Sequence, residues 1–223
     1  MNKLLSVVAA TFMLAASTYA APFSNVTVFD GIGNTTGEDN EMDAGSFEQY
    51  QEVEAFLFNG TDISLVGGYD FQNGYTWGQT HITTGDIFVD LGRDGTYDLA
   101  LEFDFDNLLY NVIEVIDEID VTYKDHGFAS PFKAIGNFIG AGTLVYETGL
   151  TNAQVGFGLI GGNHNRVTML GVNAFGIESN FGLHYTMLCG NDVAKAEVPE
   201  PTLLSLLGIG ILGLSFTRRK KHS

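Results

Sequence analysis

The sequence predicts an all-β protein, an antiparallel β-sandwich of the jelly-roll-like kind. Three observations carry this reading. Leu99, Leu101, Phe103 and Phe105 alternate with Asp98, Ala100, Glu102, Asp104 and Asp106, a period of two with one oily and one charged face. Many further short apolar runs are punctuated by glycine, which supplies 28 of the 223 residues. No strand–helix–strand rhythm runs through the chain, which argues against a parallel sheet.

Taken in order, the elements begin with a segment outside the fold. Lys3 precedes an apolar run over residues 4–16, and the small residues Thr18 and Ala20 come after it. That pattern predicts a signal peptide over residues 1–20, cut by signal peptidase before Ala21. Residues 21–197 then form one exported domain, long enough for a sizeable core. Within it, residues 33–45 are polar and acidic and read as a loop. Val53, Ala55 and Leu57, and then Ile87 and Val89, mark strands. Residues 109–123 fit helical spacing almost as well as alternation, but their many Val and Ile residues favour a strand. A short helix is expected over 131–139. Leu144 and Tyr146, then Val155, Phe157 and Leu159, add strand-like runs, and Phe181, Leu183, Tyr185 and Met187 alternate again. Residues 161–165 read as a turn, and 191–197 as a connection to the C-terminal segment.

Charge limits the partners. The chain has 27 acidic and 10 basic residues, a formal net charge of −17. Of the acids, 26 fall between residues 21 and 198, against Arg93, Lys124, Lys133, Arg166 and Lys195. Such a field repels nucleic acid, so none is expected as a partner, and it favours divalent cations, basic partners or plain solubility. Cys189 is the single cysteine, so no disulfide can form within the chain.

The chemistry-bearing patterns are sparse. Asp90, Asp94 and Asp98 surround a Gly-Arg-Asp-Gly turn that partly matches a calcium loop: Asp90, Asp94 and Gly95 stand at its first, fifth and sixth positions. Gly92 at the third position lacks an oxygen ligand, and Leu101 stands where the terminal glutamate should be. The pattern reads first as a tight turn between strands, with Asp94-Gly95 at its corner, and a Ca²⁺ site is the alternative. Glu102, Asp104 and Asp106 share a strand face, where a solvated surface explains them as well as a glycosidase pair would. His81, His126, His164 and His184 show no zinc spacing, and no cofactor is expected. Tyr69, Tyr75 and Trp77, with Phe71, crowd one glycine-rich stretch, where exposed rings would stack on a saccharide and buried ones would fill a core.

The far end of the chain is the most specific signal. Pro199, Glu200 and Pro201 precede an apolar run over 203–216, and Arg218, Arg219, Lys220 and Lys221 come next. The prolines mark an extended stretch. Residues 202–217 span about 24 Å as a helix at ~1.5 Å per residue, short for a bilayer core of roughly 30 Å. The basic cluster holds that end on the cytoplasmic side. Residues 198–223, in this order of Pro-Glu-Pro, transmembrane helix and basic tail, closely resemble the PEP-CTERM sorting signal of Gram-negative bacteria. The resemblance implies an inner-membrane intermediate, recognition by a membrane exosortase and a cut near Pro199–Pro201. It also implies release or transfer to the cell surface or extracellular matrix, with exopolysaccharide as a looser expected partner. Residues 85–98 and 184–192 also resemble segments of exported PEP-CTERM proteins, a group defined by sorting rather than by chemistry. The expected role is therefore structural or adhesive and not enzymatic. A saccharide- or calcium-binding module is the alternative.

Overall fold

The computed structural model describes residues 26–30, 53–122, 129–156, 163–190 and 192–198, the first of these segments as backbone only. Its strands are β1 (Val26–Asp30), β2 (Val53–Phe58), β3 (Ile63–Gly67), β4 (Tyr75–Trp77), β5 (Thr80–Ile82), β6 (Ile87–Leu91), β7 (Leu99–Asp104), β8 (Leu109–Ile119), β9 (Lys133–Leu150), β10 (His164–Leu170), β11 (Phe181–Thr186) and β12 (Asp192–Val198). One helical turn, α1 (Asn152–Val155), precedes β10, and a 3₁₀ turn over Val172–Phe175 comes after it.

Ten strands form one sheet in the order β1-β12-β11-β6-β7-β8-β9-β10-β3-β2, with β4 and β5 as a separate hairpin. Every pairing is antiparallel. The protein is thus all-β, and its main sheet curls into a near-barrel. The two ends of the sheet meet, because β2 lies alongside β12 and β1. The Val53 amide donates to the Asp192 carboxylate at 2.5 Å, and the Phe58 and Phe181 rings pack edge to face at 5.2 Å.

Alternation decides what fills the interior. Phe56, Ile63, Leu65, Val89, Leu101, Tyr110, Val112, Val167, Phe181 and Tyr185 are fully buried on the concave face, joined by Tyr69 and Phe71 from the loop before β4. Each such side chain contributes roughly 1.5–3 kcal/mol by leaving water. Gly142 lies under the Tyr110 ring, where a Cβ would overlap ring atoms, and the Tyr110 hydroxyl donates to the Leu170 carbonyl at 2.9 Å.

Part of the convex face is covered as well, by a device made from β8 and β9. Both outrun their neighbours: β7 pairs with β8 only as far as Glu114, and β10 pairs with β9 only from Thr143 onward. The excess forms a two-stranded ribbon with bulges at Ile116 and Ile139, which sharpen its twist. Its far end returns across the convex face. The Asp86 amide donates to the Phe132 carbonyl at 3.0 Å, and the Asp86 carboxylate takes Lys133 Nζ at 2.6 Å and the Ala134 amide at 2.9 Å. Phe88 and its strand partner Ala100 are buried here, as are Ala129, Phe132 and His184, while a separate small cluster joins Val66, Leu150 and Val155. The Tyr97 ring stands 5.2 Å from Phe88 and 5.7 Å from His184.

Three elements differ from the sequence expectation. Residues 131–139 are not a helix: most of them open β9, where pairing with the β-branched β8 overrides their local spacing. Val155 ends the single turn α1 rather than starting a strand, because Thr151 and Gln154 cap each other there (Phe157 and Leu159 lie outside the described residues). Residues 192–198 are no linker but β12, held between β1 and β11 in continuous register.

Two outcomes test this architecture. Gly142→Ala should cost about 1–3 kcal/mol in urea unfolding, because the Tyr110 ring cannot retreat without losing its core contacts. His184 is buried, and desolvation pushes its pKa down to about 3. Its folded pKa lies below the unfolded value of roughly 6.5, so its contribution is intact above that pH and is lost as pH falls toward 3. Between pH 6.5 and 4.5 the wild type should lose about 2–3 kcal/mol that His184→Gln does not lose.

Candidate functional site

The turn between β6 and β7 is built by its own carboxylates. Asp90 Oδ1 accepts the Asp94 amide at 3.0 Å and Oδ2 accepts the Gly95 amide at 2.9 Å. Asp94 accepts the Thr96 amide at 3.0 Å, and Asp98 reaches back to the Leu91 amide at 2.7 Å. Gly92 and Gly95 take positive φ, as does Arg93, whose guanidinium pairs with Glu197 of β12. These bonds close the turn and aim Asp90, Asp94 and Asp98 at backbone amides rather than at a shared centre. Among the described residues, no group of three or more His, Cys, Asp or Glu side chains is placed to hold a metal ion.

The aromatic stretch is split by burial. Tyr69 is fully buried and donates to the Ile82 carbonyl at 3.1 Å, with Phe71 and Tyr75 packed edgewise against its ring. It belongs to the core, and this removes it from any saccharide platform. Tyr75 is half-buried, its hydroxyl 3.7 Å from the half-buried Cys189 sulfur. Only Trp77 of this group presents its ring to solvent, at the end of β4 and 61% exposed.

A shallow depression of about 490 Å³ lies nearby, lined by Gln72, Asn73, Glu102, Phe103, Asp104, Phe105, Asp106 and Asn111. The sequence pattern points to its acids but not to its amides. Asp70 shapes one rim. Burial opposes its ionisation, yet the Asn73 side chain and amide, the Tyr146 hydroxyl and the Gln72 amide outweigh that and hold its pKa below the usual carboxylate range. Glu102 accepts from Asn111 at 3.3 Å, while Asp104 accepts both nitrogens of Asn107 at 3.1 and 2.8 Å. The depression is polar, open and engaged with local amides.

Elsewhere, two buried histidines are spent on structure. His164 Nδ1 lies 2.6 Å from the Glu54 carboxylate and Nε2 lies 3.0 Å from Asn152 Oδ1, tying β10 to β2 and α1. His184 Nε2 donates to the Pro131 carbonyl at 3.0 Å, pinning the ribbon's return. Neither pair was legible in the sequence, because their partners lie 110 and 53 positions away.

The remaining feature is where the sheet stops. β12 ends at Val198, and Pro199 is next; a proline cannot donate to either neighbouring strand. Pro199, Glu200, Pro201, Arg218 and Arg219 lie outside the described residues, as do residues 1–20 and the apolar run 203–216. Among the described residues no helix is long and apolar enough to cross a membrane. What the geometry defines is an all-β domain whose penultimate sheet strand runs straight into a Pro-Glu-Pro segment. The family description "PEP-CTERM protein-sorting motif" matches residues 197–221, so the chain carries that motif from the last residues of β12 through the basic cluster. The motif implies processing by exosortase and export to the cell surface or beyond it. Among curated proteins and among solved structures, none matches the chain.

The turn geometry carries a prediction. Calcium and chelator should each leave the melting temperature unchanged, while Asp90→Ala should cost about 1–3 kcal/mol by orphaning two turn amides. A chelator-reversible rise with calcium would instead mean that the turn opens around an ion.

Proposed function

We propose that this chain is a non-catalytic structural or adhesive protein of the cell surface or extracellular matrix. On this reading the signal peptide over 1–20 is removed, and a helix within 202–217 holds the chain in the inner membrane. A membrane exosortase then cuts near Pro199–Pro201. The observation that carries the reading is the sorting motif at 197–221, which begins on the last two residues of β12. A cut after Val198 leaves every residue of β12 in the product. The two-layered, jelly-roll-like description of the domain belongs to the same reading.

What supports the absence of catalysis is the engagement of Asp90, Asp104 and His184 with backbone or local side-chain partners. One observation favours a second reading, a saccharide-binding surface: the exposed Trp77 ring lies five residues after Gln72, in the segment whose Gln72 and Asn73 line the polar depression. Exopolysaccharide is the polymer such a surface would meet. Tyr75 could flank it only by its exposed edge, and calcium has no comparable observation in its favour.

Intact-mass spectrometry of the protein from hosts with and without an exosortase tests the primary reading. A mass ending between Val198 and Pro201 only in the first host is expected. The processed and unprocessed forms should melt at the same temperature, since the cut removes no strand. A full tail in both hosts would make the protein a permanently anchored one.

A further inference from the structure

Most large apolar side chains are buried, yet the β8–β9 ribbon exposes five of them. Ile116, Ile119, Ile135, Phe138 and Ile139 are between 48% and 68% exposed. The ribbon also leaves backbone unpaired. Because β10 joins β9 only from Thr143 onward, the edge of residues 135–141 that faces away from β8 meets no strand among the described residues. An apolar edge left unpaired is a template for another strand.

Charge says which strand it suits. No side chain between Lys133 and Glu147 is ionised at neutral pH, in a chain whose net charge is −17. Two copies of so acidic a protein repel wherever their carboxylates face each other, and this stretch has none. We propose that residues 135–141 form a self-association surface, pairing antiparallel with the same residues of a second copy to continue the sheet across a two-fold axis. An antiparallel strand pair is self-complementary, as a two-fold contact requires. Glu114, Asp117 and Glu118 on β8 would then stand three strand spacings from their counterparts, about 14 Å at ~4.8 Å each. That exceeds the screening length of ~8 Å at physiological salt. The bulge at Ile139 interrupts the regular ladder and so limits the length of the paired stretch.

The proposal deepens, and rests on, the structural role argued above: paired copies give an exported domain a means of building an assembly. Its test is sedimentation velocity on the exported chain over a wide micromolar range, with processing read separately by mass. A concentration-dependent dimer is expected, tighter at ~0.15 M NaCl than at ~0.01 M because salt screens the acidic bodies. Phe138→Lys and Ile135→Lys should each weaken it roughly tenfold or more, with circular dichroism unchanged, since both side chains are exposed. Independently of any variant, amide exchange over 135–141 should slow as concentration rises. A monomer of the correct mass throughout would overturn the pairing and leave export intact. So would a dimer that both lysines leave untouched. Protection that is strong at every concentration would also overturn it, meaning that the chain covers this edge itself, for instance with residues 31–52.

Discussion

A sheet of ten strands has two faces and two edges, and the described residues include almost no helix with which to cover either. It resolves the problem by curling until β2 meets β12, where the Val53 amide binds the Asp192 carboxylate and Phe58 packs on Phe181. The buried face then becomes the inside of a near-barrel. Hydrogen bonding contributes continuity, since each strand from β12 to β3 has a partner on both sides for at least part of its length. The core contributes the energy, because Phe56, Tyr69, Phe71, Tyr110 and Tyr185 leave water only when the ends have met. Because β12 is an internal strand, the sorting motif begins within the sheet itself, at Glu197 and Val198.

The convex face is solved differently. β8 and β9 are longer than the strands beside them, and their bulges let the surplus double back over Phe88, Ala100 and His184. Asp86 locks the return by holding both Lys133 and the Ala134 amide. Part of the sheet is thus buried on both sides, and the alternation of oily and polar residues fails there for a physical reason. Phe88 and Ala100 point outward from the barrel and are still dry. The same surplus leaves residues 135–141 with an edge that no described strand pairs with.

Much of the fold was legible because its signals are local. The alternation over 98–106 became β7, Phe181–Thr186 became β11, and the β-branched run became β8. The Asp94-Gly95 corner was readable because Asp90 and Asp98 bond amides within a few residues of themselves. Residues 131–139 and 192–198 misled for the opposite reason: their strand state is imposed by β8 and by β1 and β11, not by their own composition. The aromatic stretch was ambiguous for a related cause. Tyr69 and Trp77 stand eight positions apart in one glycine-rich run, and only tertiary packing, with Tyr69 bonded to the Ile82 carbonyl of β5 and packed against Tyr75, decides that the first is core and the second is solvent-facing.

The sequence alone determined the class of structure and the protein's address. Period-two patterning reports the face each strand buries, and a sorting motif is read as a linear order of prolines, apolar residues and basic residues, so neither depends on distant contacts. Tertiary structure alone decided which strands neighbour each other, that β12 is internal, that Asp86 and His184 hold a ribbon, and that residues 135–141 have no strand partner beyond β8 among the described residues. Those facts rest on pairings between residues dozens to more than a hundred positions apart. Their partners are selected by the closure of one particular sheet, which no window of sequence contains.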